Sequence, residues 1–266
     1  MNYLKLLLIS IVLIGCKKKT FADDIVLSFP KETEMKIQEF NEDSNEGGEN
    51  LLYMGKLKQN IEVKYYKNIM SEPPPPPKKQ ESREDYSIRI IKFKDSINSQ
   101  TSSFFKTAEI PILFGKNNDS FLDSLSNKNI KIIVKINDTI PLYKEDYSTK
   151  TKKKYYAFPV FIKNISNKVL RIPTTSKNVA LYIDDSDMKN LFFIRNSNYM
   201  ICGIETDFYS YFELKPNEIL IYGFPYLEKG TKRKAKMKFY NASSKEFEIS
   251  IDEKIIKNQR DRHFLQ

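Results

Sequence analysis

From residue 86 onward the sequence is a succession of short segments in which apolar and polar residues alternate. Alternation of this kind predicts β-strands with one buried face, because successive side chains of a strand point to opposite sides. The segments recur at roughly 8–15-residue spacing, and turn residues such as Asn167 and Asn241 separate them. Only residues 117–126 predict a short helix. The pattern therefore predicts an all-β protein built as an antiparallel sandwich.

The predicted strands form an N-terminal pair and a longer series after it. They are residues 24–29, 61–67, 86–93, 109–114, 130–136, 155–164, 168–172, 179–184, 191–194, 218–224, 234–240 and 246–251. In the strand 130–136, Lys131 and Lys135 fall on one face. Hydrophobic residues make up 40% of the chain and aromatic residues 13%, which is enough to fill a core.

The C-terminal half resembles the immunoglobulin-like sandwich domains of many bacterial proteins. In those domains a strand ends in an Asn-x-Ser/Thr turn, a short strand follows, and a Leu-x-Pro-x-Glu turn comes later. The matching residues here are Phe161, Ile162, Asn164, Ser166, Leu170, Ile172, Leu214, Pro216, Glu218 and Leu220. The resemblance implies an Ig-like antiparallel β-sandwich over residues 129–256. It indicates a shape and no activity.

A run of five prolines within residues 71–85 is the clearest break in composition. Proline cannot donate to a sheet ladder, so the run favours a stiff linker in the polyproline II conformation, with a ligand for a partner domain as the alternative. The chain divides into a β-rich N-terminal segment (16–85), a β-rich connecting segment (86–128), the sandwich, and a polar tail (257–266). Whether residues 24–70 form a domain or add strands to the sandwich is left open.

The first fifteen residues have the pattern of a secretory signal peptide. Lys5 supplies a positive charge, residues 6–14 are apolar apart from one serine, and Gly15 is small. The apolar run is shorter than the roughly 20 residues that a membrane-spanning helix needs. A cysteine, Cys16, follows directly, and three lysines follow the cysteine.

Residues 13–16, Leu-Ile-Gly-Cys, resemble the lipobox of bacterial lipoproteins. The resemblance implies that Cys16 becomes the mature N-terminus and carries a diacylglycerol and an N-acyl chain. Two or more acyl chains hold a protein stably in a membrane. Lys17 stands where lipoproteins retained in the inner membrane often have Asp, which favours the outer membrane. The alternative is a cleaved signal peptide with an incidental cysteine.

The formal net charge is +10, which raises the question of a nucleic-acid partner. The lysines are spread along the chain and no recognisable nucleic-acid-binding module accompanies them. A lysine-, asparagine- and isoleucine-rich composition is also typical of proteins from AT-rich genomes. We therefore expect no nucleic-acid partner and a modest attraction to anionic lipid headgroups.

The sequence lacks the residues that several kinds of catalytic site require. The single histidine, His263, lies in the polar tail, so a Ser/His/Asp or Cys/His site and a zinc site are not expected. Cys202 lies in an apolar stretch and predicts a buried thiol. The cluster Asp184, Asp185 and Asp187 is the best group of calcium ligands, but acidic turns are common, and we predict no metal and no cofactor.

Three Asp-Ser/Thr-aliphatic triplets resemble the O-glycosylation motif of proteins exported by Bacteroidota, and the composition suits that phylum. The candidate acceptors are Ser96, Ser124 and Thr139.

We expect a non-catalytic lipoprotein that presents a binding domain at the cell envelope, to a protein partner. The alternatives are an accessory or assembly lipoprotein of an outer-membrane complex, and an inhibitor or immunity protein. A hydrolase that uses a pair of carboxylates is a further alternative.

Overall fold

The computed structural model describes residues 19–29, 37–38, 50–66, 77–92, 107–108, 110–116, 125–146, 151–173, 179–185, 190–194, 208–227 and 230–257. These residues form mostly antiparallel β-sheets, with two short helices, α1 (83–92) and α2 (253–257). The all-β prediction is confirmed.

The strands are β1 Val26–Ser28, β2 Ile37–Gln38, β3 Asn50–Lys56, β4 Asn60–Glu62, β5 Tyr65–Tyr66, β6 Thr107–Ala108, β7 Leu113–Lys116, β8 Ile130–Val134, β9 Ile140–Asp146, β10 Thr151–Asn164, β11 Leu170–Pro173, β12 Ala180–Asp185, β13 Asn190–Ile194, β14 Phe208–Leu214, β15 Glu218–Pro225, β16 Thr231–Phe239, β17 Ala242–Ser243 and β18 Phe247–Ile251.

The central sheet is built around β10, a strand of 14 residues. β9 pairs antiparallel with its first half and β8 with its second half. β15 also pairs antiparallel with β10, β3 pairs antiparallel with β15, and β2 adds a short parallel pairing. Two N-terminal strands thus belong to the same sheet as the sandwich strands.

Both faces of the central sheet are buried. Along β10, Phe158 and Ile162 point into one hydrophobic cluster, and Tyr155 and Phe161 point into another on the opposite side. This burial on both faces explains why residues 157–162 read as a continuous apolar run instead of an alternating one. We name the two sides the inner face, which carries Phe158, and the outer face, which carries Phe161.

The inner face packs against a second layer, which we name the far layer. It consists of the three-stranded sheet β11–β14–β7 and the five-stranded sheet formed by β13, β12, β16, β17 and β18. Phe158 contacts the far layer through Phe247 of β18, whose ring centroid lies 6.4 Å from its own. Its other ring neighbours, Phe224 at 5.5 Å and Tyr226 at 5.4 Å, lie in β15 and directly after it. The two layers enclose the larger of the two hydrophobic clusters.

The N-terminal segment, residues 19–29, covers the outer face together with β4. Ala22, Ile61 and Val63 are buried there against the side chains of the central sheet. β1 runs parallel to β4 and completes this cover. The question left open by the sequence is therefore answered: the described residues of the N-terminal part add β3 to the sheet and a cover to its outer face.

A β-bulge in β3 places two consecutive residues, Leu52 and Tyr53, on the same side of the central sheet, the outer face. Tyr53 lies opposite Ile221, but Leu51 lies opposite Tyr222, so Leu52 is the extra residue. Leu51 joins the inner cluster and Leu52 the outer one. A bulge places two residues of one strand opposite one residue of its neighbour and bends the strand.

The prediction of a strand over residues 86–93 is wrong, because residues 86–92 belong to α1. Ser82 caps this helix: its Oγ accepts a hydrogen bond from the Asp85 N–H at 3.0 Å and donates one to the Asp85 carboxylate at 2.6 Å. The Arg89 guanidinium forms two hydrogen bonds of 2.7 Å with Glu81. The apolar residues of this segment fit both the periodicity of a helix and that of a strand. The hydrogen bonds of Ser82 and Arg89 favour the helix.

The predicted strand 109–114 is displaced toward the C-terminus. β7 begins at Leu113, and residues 110–112 are not part of a strand. Pro111 lies among them and has no N–H to donate to a ladder. The predicted helix at 117–126 falls outside the described residues as far as position 124.

Candidate functional site

The N-terminal segment joins the domain at a turn. The Asp23 N–H donates a hydrogen bond to the Thr20 carbonyl oxygen at 3.3 Å, and the turn places Ala22 in the outer cluster with 1% of its surface exposed. From Ala22 onward the chain is packed on the sheet. The segment is thus fixed only a few residues after Cys16.

Two ion pairs hold this turn. The Asp23 carboxylate lies 2.8 Å from the Lys135 Nζ at the end of β8, and the Asp24 carboxylate lies 2.6 Å from the Lys19 Nζ. The hydrogen bond from Lys135, and then the one from the Thr20 N–H, lower the pKa of Asp23 to about 2. The hydrogen bond to Asp24 raises the pKa of Lys19. Exposed pairs of this kind add little stability but fix the local geometry.

Two lysines face each other beside this segment. Lys131 of β8 and Lys163 of β10 are directly opposite in the antiparallel ladder. They lie on the outer face, because Ile133 and Phe161, two residues away on each strand, pack into the outer cluster. The Lys163 Nζ sits 5.7 Å from the centroid of the Phe21 ring. The pair therefore lies next to the point where the chain from Cys16 reaches the domain.

The end of β10 is fixed by a buried asparagine. The Asn164 side-chain amide donates hydrogen bonds to the Lys168 carbonyl oxygen at 2.8 Å and to the Leu214 carbonyl oxygen at 2.9 Å. Its Oδ1 accepts from the Ser166 N–H at 2.9 Å and from the Ser166 hydroxyl at 2.7 Å. One side chain thus ties the central sheet to β14 of the far layer and shapes the turn between β10 and β11. These contacts give a physical role to the Asn-x-Ser motif of the sequence.

Most of the predicted site residues are not among those described. Cys16, Ser96, Ser124 and Asp187 fall outside the described residues, as do Cys202 and His263. For Asp185 the structure describes only the backbone, which belongs to β12. The lipidation and the glycosylation of these residues stay predictions.

Thr139 and Asp184 are described, and both are exposed. Thr139 lies just before β9, with its Oγ1 3.4 Å from the Tyr226 hydroxyl. The Asp184 carbonyl oxygen accepts a hydrogen bond from the Arg233 guanidinium at 3.4 Å. Thr139 is thus accessible for modification, and the Arg233 contact involves the backbone of Asp184.

Within the described residues, no group of three or more His, Cys, Asp or Glu side chains is placed to hold a metal ion. No helix in that part of the chain is long and apolar enough to cross a membrane.

The opposed lysines were not found from the sequence. The alternation of residues 130–136 places Lys131 on one face of its strand, but only the register between β8 and β10 brings it opposite Lys163. The position of Lys163, directly after the apolar run of a strand buried on both faces, was the available signal.

Comparison with protein families, with curated proteins and with solved structures finds no match for this chain.

Proposed function

We propose that this chain is a bacterial lipoprotein of the cell envelope that presents a non-catalytic β-domain to a protein partner. Acyl chains on Cys16 would anchor it, and the residue after that cysteine favours the outer membrane. The Ig-like relationship of residues 129–256 belongs to the same proposal. It is supported by the packing of two β-layers and by the Asn164 turn.

The observation that carries the proposal is the short distance in sequence between Cys16 and the folded domain. Ala22 is already buried, and six residues span at most about 22 Å even when they are fully extended. An acylated Cys16 would therefore keep the domain close to the bilayer surface. Restriction to a surface raises the effective concentration of a domain toward partners on that surface.

Replacement of Cys16 tests the anchor. Cys16→Ser should move the protein from the membrane fraction to the soluble fraction. Mass spectrometry of the wild-type N-terminus should show a cysteine that carries acyl chains. An unchanged distribution of the variant between the fractions would refute the anchor.

A crosslinking experiment tests the binding role. Whole cells are mildly crosslinked and a C-terminally tagged chain is purified. One envelope protein should be recovered with it reproducibly, in an amount close to one per tagged chain. The Cys16→Ser variant is the matched control, since it keeps the domain but loses its confinement to the membrane. Recovery of no protein partner from wild-type cells would refute the interaction role.

A further inference from the structure

The arrangement of Lys131 and Lys163 is unfavourable in isolation. Like charges directly opposite each other on paired strands destabilise a sheet. Lys131 is exposed and Lys163 is partly exposed, and neither ammonium group has an ion-pair partner within the described part of the chain. An anion bound between them would remove the repulsion.

Several other lysines of the described structure have a compensating contact. Lys135, the residue after β8, is paired with Asp23. On the far layer, Lys234 lies 3.4 Å from Glu246.

Lys144 and Lys153 are also directly opposite each other, in the ladder between β9 and β10. The pair formed by Lys131 and Lys163 is distinguished by its position beside Phe21, the ring that Lys163 contacts.

The position of the pair indicates which anion is within reach. Phe21 lies against Lys163, and the five residues from Cys16 to Phe21 span at most about 18 Å when extended. A chain anchored at Cys16 therefore brings the pair close to the headgroups of its own membrane. Lysines next to a lipid anchor strengthen binding to anionic bilayers, and one acyl chain alone binds only weakly.

We infer that Lys131 and Lys163 bind the anionic headgroups of the bilayer that holds the anchor, so that the outer face of the central sheet is turned toward the membrane. This inference rests on the lipid anchor of the proposed function. The exposed side of the N-terminal cover, where Val26 on β1 is 57% exposed, then faces the lipid. The far layer, with the outward side of β16 and β18, faces away from the membrane and is free for a partner.

The charge contact is tested with the mature chain carrying Cys16→Ser, so that no acyl chain contributes. Binding is measured by sedimentation with vesicles of phosphatidylcholine alone and with vesicles that contain phosphatidylglycerol. Each lysine near an anionic surface strengthens binding by about fivefold, so Lys131→Gln with Lys163→Gln should weaken binding to the anionic vesicles by about 10- to 25-fold.

Lys232→Gln with Lys245→Gln is the matched control, because neither of these lysines has an ion-pair partner within the described residues. It removes the same net charge from exposed positions of the far layer and should weaken binding by less than about threefold. Equal losses in the two double variants would overturn the inference, because binding would then follow net charge alone. Equal binding of the parent chain to both kinds of vesicle would also overturn it.

The orientation is tested on the acylated protein. The chain contains no tryptophan, so a single introduced tryptophan gives an unambiguous signal. Brominated lipids should strongly quench the tryptophan fluorescence of Val26→Trp. They should only weakly quench that of Ser250→Trp, which lies on β18 of the far layer. The reverse order of quenching would overturn the inference. If mass spectrometry shows no acyl chain on Cys16 but the lysine pair still governs vesicle binding, the proposed anchor fails and the lipid contact stands.

Discussion

Replacement of Asn164 should destabilise the fold by far more than its position at a turn suggests. Asn164→Ala removes four hydrogen bonds, two to the carbonyl oxygens of Lys168 and Leu214 and two from Ser166. A net contribution of about 0.5–1.5 kcal/mol per bond, with water replacing the bonds at the exposed end, gives a loss of about 2–4 kcal/mol. This loss corresponds to a decrease in Tm of about 5–15 °C for a chain of this size.

The measurement is the thermal and urea unfolding of the mature chain with Cys16→Ser, monitored by circular dichroism. Ser166→Ala is the control, since it removes only the hydroxyl contacts of the same turn and should cost about 1 kcal/mol or less. Asn164→Asp keeps the acceptor for Ser166 but cannot donate to the two carbonyl oxygens. It should therefore destabilise at least as much as alanine. Equal effects of Asn164→Ala and Ser166→Ala, or a stable Asn164→Asp variant, would refute the reasoning.

Three further predictions concern the core, the backbone and one ionisable group. Phe158→Ala should lower the free energy of unfolding by about 3–5 kcal/mol, measured from the urea midpoint, because it removes a fully buried ring from the inner cluster; a loss below about 1 kcal/mol would contradict that packing. Gly230→Ala should destabilise the protein more than Gly223→Ala in the same assay. A Cβ at residue 230 would collide with the backbone at the end of β18, whereas a Cβ at residue 223 would lie 3.0 Å from the tip of a leucine side chain. A larger loss of stability in Gly223→Ala would contradict this geometry. Lys135→Met should raise the pKa of Asp23 from about 2 toward its ordinary value of 3.8, followed by NMR of the carboxyl carbon. Since the folded pKa is the lower one, the contribution of this pair to stability is present above about pH 4 and is lost as the pH falls toward 2; an unchanged pKa in the variant would refute the pairing.

Most strands after residue 129 could be predicted because many of them bury one face, but β9 and β14 were not predicted. In the predicted strands, alternation fixes both the element type and the side that faces the core, as in β16, where Ala235, Met237 and Phe239 point inward. The same reasoning failed for residues 86–93. Ile88, Ile90 and Ile91 fit a strand and a helix about equally well, and the cap at Ser82 decides between them.

The pairings between strands could not be predicted, because they depend on contacts between segments far apart in sequence. The alternation of a strand says which face is buried but does not say which neighbour it takes. The opposed lysines and the cover on the outer face both follow from such pairings. The motif at Asn164 was recognised from the sequence, but its partner Leu214, fifty residues away, was not.

The pairing of β3 with β15 also has a consequence for the folding rate. Leu51 lies opposite Tyr222, about 170 residues later in the chain. Closing so long a loop costs entropy before the contact is made, and folds dominated by such contacts reach the native state in milliseconds to seconds. β3, an N-terminal strand, can pair only once β15, one of the last strands of the chain, is in place. Until β3 pairs with it, β15 has an open edge, which invites pairing with another chain. We therefore expect the N-terminal cover to close late in folding, after the rest of the domain has formed.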